Sequence, residues 1–142
     1  MKNVQQILGI KPLEVFSVTA GTSVLNGLKL MMEKNISALL VIEEGKLLGI
    51  FTERDYARKI VLHGKSSAET PVGEVMTSDP ITVSPSDSIE DCMEIMTEKH
   101  IRHLPVADSS GTIGMVSIGD VVKFIIADQK QTISQLESYI SS

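Results

Sequence analysis

The sequence predicts a mixed fold (α+β or α/β) built from two copies of one helix–strand–turn–strand–helix unit, related by a pseudo-twofold axis and followed by a C-terminal helix. Three observations carry this. Val18 to Ile60 aligns on Val83 to Ile125 with a constant shift of 65 residues and no gap, and 11 of those 43 positions are identical. Average composition would give roughly three by chance. Within each copy the apolar residues recur first at helical spacing, then as a short continuous run. Finally, each half of about 60 residues is too small to bury an adequate core alone, so the 142-residue chain must pack its copies on each other.

Each element follows from local chemistry. A short apolar turn at Val4, Ile7 and Leu8 leads the first copy. Ser23 caps the first long helix, whose stripe is Val24, Leu25, Leu28, Met31 and Met32, and Asn35 ends it. Ala38 to Ile42 reads as a fully buried strand. Glu43 to Lys46 forms a tight turn, and Leu47 to Thr52 is the second strand. A helix then runs from Glu53 to about Gly64, a C′ glycine. Lys65 to Pro71 is a polar linker.

The pattern then restarts. Val72, Val75 and Met76 echo Val4, Ile7 and Leu8, while Asp79 to Val83 echoes the Pro12 region and Ser17-Val18 with three extra residues in the first copy. Asp87 or Ser88 caps a helix with Ile89, Met93 and Met96 as its stripe. Leu104 to Ala107 and Thr112 to Ser117 are paired strands, and a long helix starts at Ile118. The expected division is 1–65, 66–127 and a tail, 128–142.

Thirteen Lys and Arg against 18 Asp and Glu give a net charge of −5. That argues against nucleic acid as the main partner. A small anionic ligand needs only a few local cations. Cys92 is the only cysteine, which fits a reducing compartment. No apolar run reaches signal-peptide or membrane-span length, so a cytoplasmic location without membrane association is expected.

Both second strands end in one constellation, Gly49-Ile-Phe-Thr52-Glu-Arg-Asp55 and Gly114-Met-Val-Ser117-Ile-Gly-Asp120. Each reads G-h-h-[ST]-x-x-D, where h is apolar, across a strand-to-helix junction. A hydroxyl at a helix start lies beside free backbone N–H groups that favour an anion. A carboxylate in the first turn can accept hydrogen bonds from both hydroxyls of a ribose. The plainer reading is an N-cap followed by an acidic residue suited to the dipole. The same motif in two equivalent places favours the nucleotide.

These motifs, the 65-residue repeat, Val75-Met76-Thr77 and Ile101-Arg102-His103-Leu104-Pro105-Val106 together make the chain resemble a tandem pair of cystathionine β-synthase-type (CBS) domains, a Bateman module. The resemblance spans about residues 4 to 127. It implies a small β-sheet with two helices per repeat, the repeats packed sheet to sheet. It also implies two clefts for adenosyl ligands such as AMP, ATP, NAD or S-adenosylmethionine, and a homodimeric disc of four repeats. Carried over by position, Thr52 and Asp55 serve one cleft with Ser17, Leu39 and Leu40. Ser117 and Asp120 serve the other with Thr82, His103, Leu104 and Pro105. Arg54, Arg58, Lys59, Arg102, His103 and Lys123 are candidates to balance phosphate charge, Arg58 and Lys59 reading equally well as a solvated helix face. The copies differ, since Ala38 and Leu40 stand where the second has His103 and Pro105, and Gly119 stands opposite Arg54.

No catalytic residue, catalytic cofactor or metal site is expected. Gly64-Lys65-Ser66 lacks the earlier glycine of a phosphate loop. His100, His103 and Cys92 lack a fourth ligand nearby in sequence, and Cys92 and the helix methionines read as core. The expectation is a regulatory module that senses adenosyl ligands and signals by conformational change, its output passing to an effector protein or to its own oligomer. The alternative is a structural oligomerisation module with vestigial clefts. Val122, Ile126, Ile133, Leu136 and Ile140 form a heptad-like seam, expected to meet a second subunit or to fold back on Val4, Ile7 and Leu8.

Overall fold

The computed structural model describes residues 2–10 and 15–141. The elements in order are α1 (Val4–Leu8), β1 (Ser17–Val18), α2 (Val24–Lys34), β2 (Ala38–Glu43), β3 (Lys46–Thr52), α3 (Glu53–Asp55), α4 (Val72–Val75), β4 (Thr77–Ser78), α5 (Ile89–Lys99), β5 (His103–Asp108), β6 (Gly111–Ser117) and α6 (Ile118–Ser141). Strands β1 to β4 form one sheet in that order, and β5 and β6 form a second. The Pro12 echo lies outside the described residues.

The repeat holds down to register. Val18 faces Val41 in parallel, as Val83 faces Val106. Ala38 faces Thr52 and His103 faces Ser117, and each strand pair slips once at matching places, Val41/Ile42 and Val106/Ala107. The first hairpin turns at Glu44 and Gly45, both at positive φ, the geometry of a two-residue turn that matches strand twist.

Capping explains the long helices. The hydroxyls of Ser23 and Ser88 accept from the backbone N–H groups of Asn26 and Asp91, which would otherwise be orphan donors. Asn35 and His100 end the same helices in the left-handed region. Helix α2 buries Val24, Gly27 and Met31, and α5 buries Ile89, Cys92 and Met96. Leu25 and Met32, expected in the first stripe, are exposed, and Met93 is only half-buried. Met93 still packs at the edge of its core, as Leu28 does in the first repeat.

Strand β2 is apolar from Ala38 to Ile42 because both its faces are covered there. Leu39 and Val41 join the core under α2, whereas Ala38 and Leu40 pack with Ile50 and, from the other sheet, Met115. The two repeats therefore meet sheet to sheet.

Each core is completed by the other copy's leading helix. Val4, Ile7 and Leu8 of α1 lie in the core of the second repeat, and Val72 and Val75 of α4 lie in that of the first. The exchange is symmetrical in its hydrogen bonds. Val4 N–H donates to the Asp87 carbonyl as Val72 N–H donates to that of Thr22, and Gln5 donates to Pro85 as Gly73 donates to Ala20. The glycine of each motif makes room for the crossing segment. A Cβ on Gly49 would lie 2.7 Å from the Thr77 carbonyl oxygen, and one on Gly114 would lie 3.0 Å from Leu8 Cδ2.

Helix α3 continues as a π-helical run, Tyr56–Val61, ending short of the expected Gly64. Helix α6 buries Val121 and half-buries Phe124 and Ile125, and a 3.3 Å ion pair joins Asp128 to Lys2. From residue 129 to 141 every side chain is exposed. The tail does not fold back beyond Asp128. Among the described residues, no helix is long and apolar enough to cross a membrane.

Candidate ligand cleft

Both motifs close as reciprocal caps. The Thr52 hydroxyl accepts from Asp55 N–H at 3.2 Å, while Asp55 Oδ2 accepts from Thr52 N–H at 3.0 Å and from the Thr52 hydroxyl at 3.2 Å. Ser117 Oγ accepts from Asp120 N–H at 3.1 Å, and Asp120 Oδ2 accepts from Ser117 N–H at 2.9 Å. The N-cap is thus present in both copies, and the carboxylate at the third position turns it into a box.

The surroundings of Asp55 extend across the exchange. Its Oδ1 accepts from the Thr77 hydroxyl at 3.3 Å and pairs with Lys59 Nζ at 3.2 Å. The same ammonium donates to the Val75 carbonyl at 2.9 Å, one of the orphan acceptors at the end of α4. Asp55 is 7% exposed.

A cavity of about 1170 Å³ opens beside Thr52 and Asp55, large enough for a nucleotide on the scale of small-molecule sites. The first repeat supplies Ser37, Ile50, Glu53, Arg54, Arg58 and Lys59, and the crossing segment supplies Thr77 and Asp79 to Ile81. The second repeat supplies Met96, Thr97, Lys99 to His103 and Ile118. Two contacts tie the walls together. Ser37 Oγ and His103 Nε2 lie 3.1 Å apart, and the Arg54 guanidinium donates to the His100 carbonyl.

Of the residues singled out from sequence, Thr52, Arg54, Asp55, Arg102 and His103 line this cavity. Leu39 and Leu40 are fully buried, as is Leu104, and Pro105 is buried beside it. Ser17 is exposed, paired with Leu40 on β1. Thr82 lines a smaller cavity of about 350 Å³ with Asp79, Pro80 and Thr112. Ser117 and Asp120 form the second cap, and Lys123 is exposed on α6. The larger cavity therefore joins the first motif to Arg102 and to His103, the latter placed with the second motif by sequence grouping. The cause is the face-to-face packing, which brings the end of α5 opposite the start of α3. Ser37, Lys99 and Thr77 were missed. The Val75-Met76-Thr77 run was the available sign for Thr77.

Among the described residues, no group of three or more His, Cys, Asp or Glu side chains could hold a metal ion.

The family model for the CBS domain matches residues 10–62 and 72–127. The chain belongs to the CBS domain family. It carries two such domains in tandem. CBS domain-containing protein CBSX3, mitochondrial, of Arabidopsis thaliana is 42% identical over 127 residues, 86% of this chain and 62% of that one. The chain thus spans less than two thirds of that relative. CBS domain-containing protein YhcV of Bacillus subtilis is 33% identical over 108 residues, 76% of each. Among solved structures, a CBS-domain protein of Burkholderia ambifaria superposes with a TM-score of 0.87 at 50% identity, covering 90% of this CBS pair and 96% of that chain. The CBS pair of MJ0100, in complex with 5′-methylthioadenosine and S-adenosyl-L-methionine, has a TM-score of 0.78 at 25% identity, covering 90% and 98%. CBSX2 in complex with AMP has a TM-score of 0.75 at 27% identity, covering 91% and 99%.

Proposed function

We propose that this CBS pair is a non-catalytic regulatory module that binds an adenosyl ligand in the cleft beside Thr52 and Asp55. The observation that carries the reading is the convergence of one buried carboxylate, apolar walls and several cations on a single nucleotide-sized cavity. The adenosyl compounds bound by MJ0100 and CBSX2 support it.

The carboxylate offers about four acceptor positions. Thr52 N–H, the Thr52 hydroxyl, the Thr77 hydroxyl and Lys59 occupy them here. A ribose reaches Asp55 by displacing the solvent-facing partner, Lys59, whose side chain is 42% exposed. The released ammonium also gives up the Val75 carbonyl, so binding loosens the end of α4 where it enters the first core. A ligand shifts an equilibrium only by differential affinity for two states, and this rearrangement supplies such a difference. Two chains associate in this reading, because the stripe Val122, Ile126, Ile133, Leu136 and Ile140 is exposed, from 45% at Val122 to 80% at Ile140, and spaced for helix pairing. A cytoplasmic setting fits the lone buried thiol.

Thermal melting with adenosine, AMP, ATP, NAD and S-adenosylmethionine tests the reading. Ligand at a hundred times its dissociation constant should stabilise the fold by about 2.7 kcal/mol. A flat response to all five at millimolar concentration would instead favour a structural module with vestigial clefts, the reading that the exposed α6 stripe alone supports.

A further inference from the structure

The two equivalent positions of a pseudo-symmetric pair need not carry the same charge, and here their residues differ sharply. Arg54, Arg58, Lys59, Lys99 and Arg102 all line the cavity beside Asp55. Its carboxylates are Glu53, Asp55 and Asp79, and Asp55 is already matched by Lys59. Five of the chain's 13 Lys and Arg residues thus converge on one cavity of an acidic protein. At the positions 65 residues away, Gly119 replaces Arg54, Phe124 replaces Lys59 and Ser37 replaces Arg102, and only Lys123 and Lys34 keep a charge. Arg58 and the guanidinium of Arg102 are exposed within the cavity wall, free of any need to satisfy a core.

We propose, building on the adenosyl reading above, that this cleft is specific for a nucleoside polyphosphate. It takes one molecule per chain and discriminates against the sulfonium-bearing adenosyl compounds, while the symmetry-related position takes no polyphosphate. A sulfonium adds positive charge to a cavity that already holds an excess of it. A di- or triphosphate brings three to four negative charges, which Arg58, Lys99 and Arg102 meet from both repeats. Guanidinium groups suit this role because their planar fork engages phosphate oxygens two at a time. Displacement of Lys59 from Asp55 by a ribose adds another cation to the phosphate end. The polyphosphate therefore bridges the repeats through charge, whereas adenosine alone would touch the apolar walls and the carboxylate.

Isothermal titration calorimetry of the full chain with adenosine, AMP, ADP, ATP and S-adenosylmethionine, at low and high salt, tests this. The expected result is affinity rising from adenosine through AMP to ATP, S-adenosylmethionine weakest, and a stoichiometry of one per chain. Salt should weaken ATP binding more than adenosine binding. Arg102→Gln should lower the ratio of ATP to adenosine affinity about tenfold, the scale of one charged hydrogen bond. Equal affinity for adenosine and ATP overturns the charge assignment while leaving the adenosyl reading intact. S-adenosylmethionine binding as tightly as ATP, or two ATP per chain, overturns it equally. Failure of every compound, adenosine included, removes both readings together.

Discussion

The carboxylate of Asp55 accepts a 3.3 Å hydrogen bond from the hydroxyl of Thr77, so the acidic residue of the first motif is held by the segment that leads into the second repeat. A double-mutant cycle with Asp55→Ala and Thr77→Val should give a coupling energy of about 0.5–1.5 kcal/mol in urea unfolding. Independent effects of the two substitutions would show that the contact contributes nothing to stability.

Gly49 sits where that segment crosses β3. A methyl group there meets the Thr77 carbonyl oxygen at 2.7 Å and Met76 Sδ at 2.6 Å, and the backbone oxygen cannot swing aside. Gly49→Ala should cost about 1–3 kcal/mol, the range of overpacking. Gly21→Ala, which meets nothing within 4 Å, should stay within about 0.5 kcal/mol of the parent. Equal Tm values for the two variants would contradict the packing.

Ile7 is buried to 1% exposure in the core of the second repeat. Ile7→Ala should destabilise the protein by about 2–5 kcal/mol. Amide exchange should then accelerate first in β5 (His103–Asp108) and β6 (Gly111–Ser117), although both belong to the other repeat. Faster exchange confined to β2 and β3 would place Ile7 in the wrong core.

Burial in α5, reinforced by the neighbouring carboxylates of Asp87 and Asp91, pushes the Cys92 thiol up from 9.0 to about 11. The folded state holds this proton more tightly than the unfolded one. The contribution is complete below pH 9 and is lost as pH rises towards 11, so stability should fall across that window. Cys92→Ser should flatten this part of the stability profile. Iodoacetamide at pH 8 should leave the native thiol unmodified and label it promptly in urea.

Truncation after Lys130 removes Ile133, Leu136 and Ile140, all exposed in the single chain. Sedimentation should show a weakened dimer, while the melting temperature of the monomeric protein should be unchanged. Loss of monomer stability with an unaltered dimer constant would mean that the tail packs within its own chain.

Much of this architecture can be read from the residues. The serine caps, the apolar run Ala38 to Ile42 in β2 and the turn at Glu44-Gly45 are local, and local chemistry suffices for them. The repeat itself follows from paired identities such as Gly49 with Gly114. The repeat shows that Val72 matches Val4 but not which core either enters, and both enter the opposite one. For the same reason sequence grouping put His103 with Ser117, its β-ladder neighbour, while the cavity shares His103 with Thr52. The π-helical run Tyr56–Val61 has no signal in the spacing of Tyr56 and Ile60. Ser37 gave no sign because a lone serine between a helix and a strand reads as a connector until the partner repeat is in place.

The exchange of leading helices also fixes an order of events for a chain that emerges from its N-terminus. Helix α1 is made before its hydrogen-bond partners Pro85 and Asp87 and before its apolar neighbours Leu104 and Val116. Val4, Ile7 and Leu8 must therefore wait in water until most of the chain exists. The first core can close as soon as Val72 and Val75 arrive, and the second must close around a helix made before the whole of the first repeat. Such distant pairings slow folding because the loop entropy is lost before the contacts repay it. The waiting helix is the segment that a nascent-chain chaperone would meet.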